Sequence, residues 1–257
     1  MWDLIKTNFS QRRKLLYFFN AVIILYLLGV SLGSRFAQLL PTEDFLPKLG
    51  TASDIVVLMS IILAAMSFAS RSAKSQISQA SQEGSSRLDL FWSKIITLII
   101  QYVDLIIIDA GFAFIFQALI FKGKYDNFHS IYIMAIAVCA NALYVFLLGS
   151  VTILFSTFAK SAEGALVAGL GFRYLGTIIA GGFMILLYHH RWLKWNPFNC
   201  LFVGGSEGQI TDPMYHAMTK MTMPDVILSA IVYSLIYLFF AYLIFERSKQ
   251  KFNFNHT

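Results

Sequence analysis

The chain has 257 residues, of which 57% are apolar and only 13% are charged. A soluble globular protein takes roughly 25% of its residues from Asp, Glu, Lys and Arg, because these side chains coat its surface. This composition excludes an ordinary water-soluble enzyme and predicts that most of the surface faces lipid. The net charge of +6 does not indicate nucleic acid as a partner, since the basic residues lie in short gaps between apolar runs and suit anionic lipid headgroups.

The N-terminal residues 1–14 are predicted to form an amphipathic helix in the headgroup layer, with Trp2 as its interfacial anchor. A frayed terminus is the alternative. The apolar run that follows is longer than that of a signal peptide and lacks a small-residue cleavage site. We therefore interpret it as a retained first span.

Six stretches are long and apolar enough to be predicted as spanning helices, each of which needs about 20 mainly apolar residues. The second stretch is the shortest. The six are residues 15–33, 54–68, 95–121, 131–155, 163–188 and 224–245. The predicted fold is an all-α integral membrane protein, with residues 1–257 forming one transmembrane domain of six helices.

Lys and Arg residues in the short connections predict the orientation, because positive charges resist translocation. With both termini in the cytoplasm, 12 basic residues lie inside and 7 lie outside. The inside set is Lys6, Arg12, Arg13, Lys14, Arg71, Lys74, Arg87, Lys94, Lys160, Arg247, Lys249 and Lys251, and the outside set is Arg35, Lys48, Lys122, Lys124, Arg191, Lys194 and Lys220.

Residues 70–94 form a cytoplasmic connection that is rich in Ser and Gln. Its Ala, Gln and Glu content up to Glu83 favours a short polar helix, which Gly84 is expected to end, before Trp92 returns the chain to the membrane. Such a helix cannot bury itself, so we expect it to rest in a groove of another protein. A solvated loop is the alternative.

The fifth predicted span carries six glycines among several alanines. Small residues let helix backbones approach closely. This face could be a dimer seam, a sliding surface or a tight contact inside one subunit. Beyond it, residues 189–223 mix tryptophans with basic side chains, which predicts interfacial or re-entrant helices, with a plain surface loop as the alternative.

Three ionisable residues, Asp104, Asp109 and Arg173, fall inside predicted spans, where a charge costs about 2.5 to 3.5 kcal/mol. At a rise of about 1.5 Å per residue, they lie at depths of roughly 15, 22 and 20 Å from the cytoplasmic ends of their helices. We expect Arg173 to face one of the aspartates and so to form an intramembrane polar cluster. Other polar residues expected near it are Asn141, Gln101 and Gln117. The cluster is either part of a polar pathway or a clamp between helices.

The sequence lacks the motifs of several enzyme classes. There is no GxxxxGK[ST] phosphate loop, no HExxH and no GxSxG. Cys139 and Cys200 are too far apart in the sequence for a CxxC metal site, and the adjacent His189 and His190 point to different sides of a helix. We therefore expect no catalytic activity, cofactor or metal of the chain's own.

Two local segments point to a known family. They are QEGSSRLDLFWSKIITLII from Gln82, which enters the third span, and GSVTILFSTFAKSAEGALVAGLG from Gly149, which forms the tight turn between spans four and five. With the pattern of spans and loops, they make nearly the whole chain resemble the membrane subunits of type-2 ABC exporters, which are small six-span permeases that work with a separate ATPase.

The resemblance implies a role for each connection. Residues 1–14 would be the elbow helix, residues 189–223 would form short extracellular helices, and residues 72–83 would contain the coupling helix that binds the ATPase. The expected ATPase contacts are Ser75, Gln76, Gln79, Gln82 and Glu83. Two cytoplasmic ATPase subunits, which bind ATP and Mg, and a second identical or related permease would complete the complex in a bacterial cell membrane.

The resemblance also orders the candidate substrates: an amphipathic or antimicrobial peptide first, a small hydrophobic drug second, and an ion or other solute third. The extracellular connection, at 35 residues, is too short for the large external domains of relatives that handle lipoproteins. A proton-coupled secondary transporter that uses Asp104, Asp109 and Arg173 is the alternative function. A membrane scaffold or sensor is a third.

Overall fold

The computed structural model describes residues 1–37, 53–82, 84–120, 127–187, 189–205, 217 and 220–247. Within these ranges the chain is helical and contains no strand, so the all-α prediction is confirmed. The α-helices are α1 (Trp2–Ala37), α2 (Ser53–Ala69), α3 (Arg71–Gln82), α4 (Arg87–Ile120), α5 (Asn127–Phe158), α6 (Ala162–Leu187) and α7 (Met223–Arg247). Two 3-10 helices, Arg191–Trp195 and Asn199–Gly205, lie between α6 and α7.

Five of these helices, α1, α4, α5, α6 and α7, are long and apolar enough to cross a membrane. Helix α2 has 17 residues and a length of about 25 Å, which is less than the roughly 30 Å hydrocarbon core of a bilayer. Helices α2 and α3 meet at a bend of 45°, and the count rises to six if this bent pair is one span. The prediction of a multi-pass membrane protein is therefore confirmed, whereas the sixth span depends on how the bent pair is counted.

Helix α1 runs without a break through the predicted boundary between an elbow helix, residues 1–14, and the first span. The prediction of a separate elbow helix before the first span therefore differs from the structure, in which both segments form one helix. The physical reason is local: no Pro or Gly occurs before Gly29, so nothing interrupts the hydrogen-bond ladder. The resulting helix of 36 residues is about 54 Å long and extends well beyond a hydrocarbon core.

Helices α1 and α4 are parallel neighbours in nearly constant register. Three side-chain hydrogen bonds define it: Asn8 to Ser93 (3.4 Å), Asn20 to Asp104 (2.8 Å) and Arg35 to the carbonyl of Ile120 (2.8 Å). The bonded residues are 84 or 85 positions apart in each case. The two helices therefore begin at the same end of the bundle.

That end, which we call the α3 end, also contains the last residues of α2, α5 and α7. Arg12 of α1 reaches the final turns of α2, Lys74 of α3 reaches the end of α5, and Arg87 of α4 reaches the end of α7. Because α5 ends there and is joined to α6 by a short turn, α6 begins there as well. Helices α1, α4 and α6 therefore run away from the α3 end, and helices α2, α5 and α7 run towards it.

Helix α2 forms the centre of the bundle. Its side chains are buried on nearly every side, and it contacts α1, α4, α5 and α6. A helix that is apolar all round is typical of such a buried position. The outer helices instead expose large apolar side chains, as Val167, Ile178 and Ile185 of α6 do, and this surface suits lipid.

The glycines of α6 divide into two groups. A Cβ atom at Gly169 would lie 2.5 Å from Oγ1 of Thr152, and one at Gly176 would lie 2.8 Å from Leu201. At Gly171, Gly181 and Gly182 a Cβ atom would meet nothing within 4 Å. Tight contact inside the subunit therefore explains the first group only.

Candidate functional site

Helix α3 is bounded by two local signals. At its start, the Ser70 hydroxyl accepts a hydrogen bond from the backbone N–H of Ala73 at 3.2 Å, as an N-cap residue does. At its end, Gly84 has φ +87°, and the N–H groups of Gly84 and Ser85 bond back to the carbonyls of Ser81 and Ala80. This pair of bonds around a left-handed glycine is a Schellman motif. The prediction that Gly84 ends a short polar helix is confirmed.

One face of α3 packs on the bundle and the other faces outward. Ala73 and Ala80 are buried, and Ile77 packs against the core. Ser72, Ser75 and Ser78 are exposed. The outward face is small, polar and without large side chains at these positions, so another protein could approach its backbone closely.

The predicted ATPase contacts do not all share that outward face. Ser75 and Gln79 are exposed. Gln76 is half-buried, donates a hydrogen bond to Gln11 of α1 and accepts one from Nζ of Lys94 at 3.5 Å. It therefore contacts α1 and α4, and its contact with an ATPase stays a prediction. Glu83 and the side chain of Gln82 lie outside the described residues.

Basic side chains bind carbonyls at the ends of four helices; two of them, Arg12 and Arg35, belong to α1, and the other two belong to α3 and α4. Arg12 binds the carbonyl of Met66 in the last turn of α2, and Arg87 binds a carbonyl in the last turn of α7. Lys74 binds two carbonyls in the turn that directly follows α5, and Arg35 binds the last carbonyl of α4. The last carbonyls of a helix have no intrahelical partner and carry the negative end of the helix dipole, so a cation there is worth about 0.3 to 1 kcal/mol. Sequence reasoning treated these residues only as markers of orientation.

Arg12 makes the most extensive of these contacts, at the bend between α2 and α3. Its guanidinium donates to the carbonyl of Leu63 at 3.0 Å, to Oγ of Ser67 at 2.6 Å and to the carbonyl of Met66 at 2.8 Å. Lys74 on α3 donates to the carbonyl of Lys160 at 2.9 Å. Helix α3 and the bend are thus attached to α1 and α5 by charged hydrogen bonds.

Arg173 forms an ion pair with Asp54 at the start of α2. The side chain of Arg173 is 9% exposed and that of Asp54 is 76% exposed. The expectation that Arg173 faces Asp104 or Asp109 is therefore wrong. Depth along the helices agreed, but α6 packs mainly against α5 and α2, whereas α4 packs mainly against α1.

The two aspartates of α4 have different surroundings. Asp104 accepts a hydrogen bond from Asn20 of α1 at 2.8 Å. Asp109 is only 8% exposed, and its Oδ1 has no hydrogen-bond partner within the described protein. Gln101 and Gln117 are buried on the same helix, and their side-chain amides likewise lack partners there. Asn141 is half-buried on α5. The predicted cluster is thus distributed over several helix contacts.

The opposite end of the bundle has the short helices that the sequence predicted between the last two spans. The Asn196 side chain accepts hydrogen bonds from the backbone N–H groups of Phe198 and Asn199. Lys194 forms an ion pair with Asp225 of α7 at 3.1 Å. Arg191, Lys194 and Lys220 line an open cavity of about 650 Å³ there. Burial raises the pKa of the Cys200 thiol in the second 3-10 helix to about 12.

No protein-family model matches this chain, and no curated protein is significantly similar to it. Across the described ranges, no group of three or more His, Cys, Asp or Glu side chains could hold a metal ion. The features available for a functional assignment are therefore the outward face of α3, its charged attachments and the buried polar residues of α4.

Proposed function

We propose that the chain is the membrane subunit of an ATP-driven exporter of the type-2 ABC class. The observation that carries the proposal is α3. It is a capped, polar helix at the end of an apolar bundle, and its outward face has a composition unsuited to lipid. A separate protein in the aqueous phase is the partner that this face fits.

The attachments of α3 support a mechanical role. Lys74 binds the turn that directly follows α5, Gln76 binds Gln11 of α1, and Arg12 holds the bend before α3. A force on α3 would therefore reach α1, α2 and α5 together. In the proposed cycle, ATP binding closes a pair of partner ATPases, which push on the α3 helices of two permeases and tilt their bundles as rigid bodies.

The orientation of the subunit is proposed from its basic residues. The sequence predicts 12 basic residues inside and 7 outside, and on this count the proposed orientation has the α3 end and both termini in the cytoplasm of a bacterial cell. ATP and Mg then bind to the two partner ATPases, since the chain has no phosphate loop of its own. An amphipathic or antimicrobial peptide is the proposed substrate, with a hydrophobic drug as the second choice, and either would pass between this permease and a second copy or a related chain.

A proton-coupled carrier is the competing proposal, and Asp109 favours it. A buried carboxyl oxygen without a partner inside a spanning helix marks a proton relay in many transporters. Arg173 does not contribute to such a site, because its ion pair is with Asp54.

The test is whether ATPase activity depends on the outward face of α3. The full chain is tagged in its own host, purified with bound proteins and assayed for Mg-ATP hydrolysis that vanadate inhibits. Ser75→Lys combined with Ser78→Lys should remove the associated activity, because two long cations would cover the docking face. Ser10→Lys, at an exposed site near the α3 end of α1, should leave it unchanged.

Two results would contradict the exporter. One is wild-type protein that purifies without ATPase activity and yet transports in liposomes under a pH gradient alone. The second is labelling of a Ser75→Cys variant by a membrane-impermeant maleimide from outside intact cells. In the first case, loss of transport in Asp109→Asn would support the proton-coupled carrier instead.

A further inference from the structure

A small cavity of about 200 Å³ lies at the α3 end, between α1, α3 and α4. Its polar lining is Thr7, Asn8 and Gln11 of α1, Gln76 and Gln79 of α3, and Lys94 of α4. Apolar side chains of the same three helices complete its walls. At about 30 Å³ per water molecule, this volume equals that of about seven waters, and it is below the roughly 300 Å³ that a drug-sized ligand needs.

Lys94 makes this cavity chemically unusual. The residue is 5% exposed, and its ammonium has three donors. Its hydrogen bond is to Oε1 of Gln76 at 3.5 Å, which is the outer limit of such a bond. Burying a cation costs several kcal/mol unless it is paired, so the ammonium needs an acceptor better than the one it has.

The protein supplies no negative charge to Lys94 within the described ranges. The ion pairs there are Arg173 with Asp54 and Lys194 with Asp225, on other helices. Arg12 acts on Lys94 as a like charge and repels its ammonium. A small cavity lined by amide and hydroxyl groups, with a buried cation and no internal anion, suits an oxyanion from outside.

The position of the cavity suits an anion at the level of the lipid headgroups. Trp2 of α1 and Trp92 of α4 are exposed on two of the three helices that line it. Exposed tryptophans of membrane proteins concentrate at the headgroup level. The mixed lining, polar around Lys94 and apolar elsewhere, also suits the boundary between headgroup and acyl chain.

We infer that this cavity binds a phosphate group, supplied by an anionic phospholipid headgroup or by free phosphate, through Lys94 and the neighbouring amides. The site shares Gln79 with the exposed side of α3, but its buried cation is on α4, and phosphate binding there does not depend on an ATPase partner. Occupation would tie the inner face of α3 to α1 and α4 through Gln76, and so would make the attachment of α3 sensitive to the lipid around it.

The test uses the full-length protein in detergent, titrated separately with phosphatidylglycerol, phosphatidylcholine and inorganic phosphate, with bound molecules counted by native mass spectrometry. Wild type should prefer phosphatidylglycerol over phosphatidylcholine. Lys94→Gln should weaken phosphatidylglycerol binding about tenfold or more, because it removes a charge-assisted hydrogen bond. Lys6→Gln, an equal charge change at an exposed site of α1, should have little effect.

Asn8→Asp provides a second variant in case Lys94→Gln does not fold. It places a carboxylate in the cavity as an internal counter-ion, so it should remove the lipid preference while the protein stays folded. Displacement of phosphatidylglycerol by inorganic phosphate would identify free phosphate as the source, and failure to displace it would identify the lipid. Equal binding of both lipids, unchanged binding in Asn8→Asp, or equal losses in Lys94→Gln and Lys6→Gln would overturn the inference.

Discussion

Arg12→Met removes the three hydrogen bonds that hold α1 to the end of α2, while it keeps much of the aliphatic length of the side chain. Hydrogen bonds to a charged group contribute about 1.5 to 3 kcal/mol each, which would sum to roughly 4.5 to 9 kcal/mol if all were lost without compensation. Compensation exists, however, because the carbonyls of Leu63 and Met66 also accept hydrogen bonds from the hydroxyls of Ser67 and Ser70.

We therefore expect Arg12→Met to lower the free energy of unfolding by roughly 1.5 to 3 kcal/mol, which is the contribution of one hydrogen bond to a charged group. For a domain of this size each kcal/mol lowers Tm by about 2 to 4 °C. The expected decrease in Tm is then about 3 to 12 °C, measured by circular dichroism at 222 nm during heating in detergent.

Arg13→Met is the matched control for this measurement. Arg13 is adjacent in sequence and exposed, and its contact is with the Tyr17 hydroxyl on the same helix. An exposed contact of this kind contributes little. A Tm in Arg12→Met equal to that of wild type, or equal decreases in the two variants, would refute the view that Arg12 holds α1 to the bend.

Three further outcomes are expected. Gly169→Ala should lower the stability of the protein by about 1 to 3 kcal/mol through overpacking. Gly171 has open space around it, so Gly171→Ala should raise the stability by up to about 1 kcal/mol through helix propensity. The reverse order of the two variants in thermal unfolding would contradict the packing of α6. A double-mutant cycle of Asp54→Asn and Arg173→Gln should give a coupling free energy of about 1 kcal/mol in stability, a small value because Asp54 is largely exposed. Additive effects of the two substitutions on stability would argue against the ion pair. In a variant that lacks the other cysteine, Cys200 should react with maleimide only after unfolding. The labelling rate of the native protein should stay low between pH 7 and 9, because the thiolate forms only near its pKa of about 12. Rapid labelling of the native protein would contradict the burial of Cys200.

The sequence by itself determined the features that depend on neighbouring residues. Runs of apolar residues specify helices able to cross a bilayer, because length and hydropathy are local quantities. The end of α3 was predictable for the same reason, since a glycine in the left-handed region after a polar helix closes it wherever that helix lies. The continuity of α1 was equally visible in the absence of an early Pro or Gly, although the amphipathic pattern favoured a separate elbow.

Only the tertiary structure decided which helices are neighbours. The depths of Arg173 and the aspartates followed from counting residues, but depth does not fix the lateral position of a helix, and α6 lies against α2 rather than against α4. The same limit hid the contacts of Arg87 with the carbonyl of Phe245, which is 158 positions away. A carbonyl at a helix end accepts any nearby cation, so its partner is set by the packing of the bundle and leaves no pattern in the sequence.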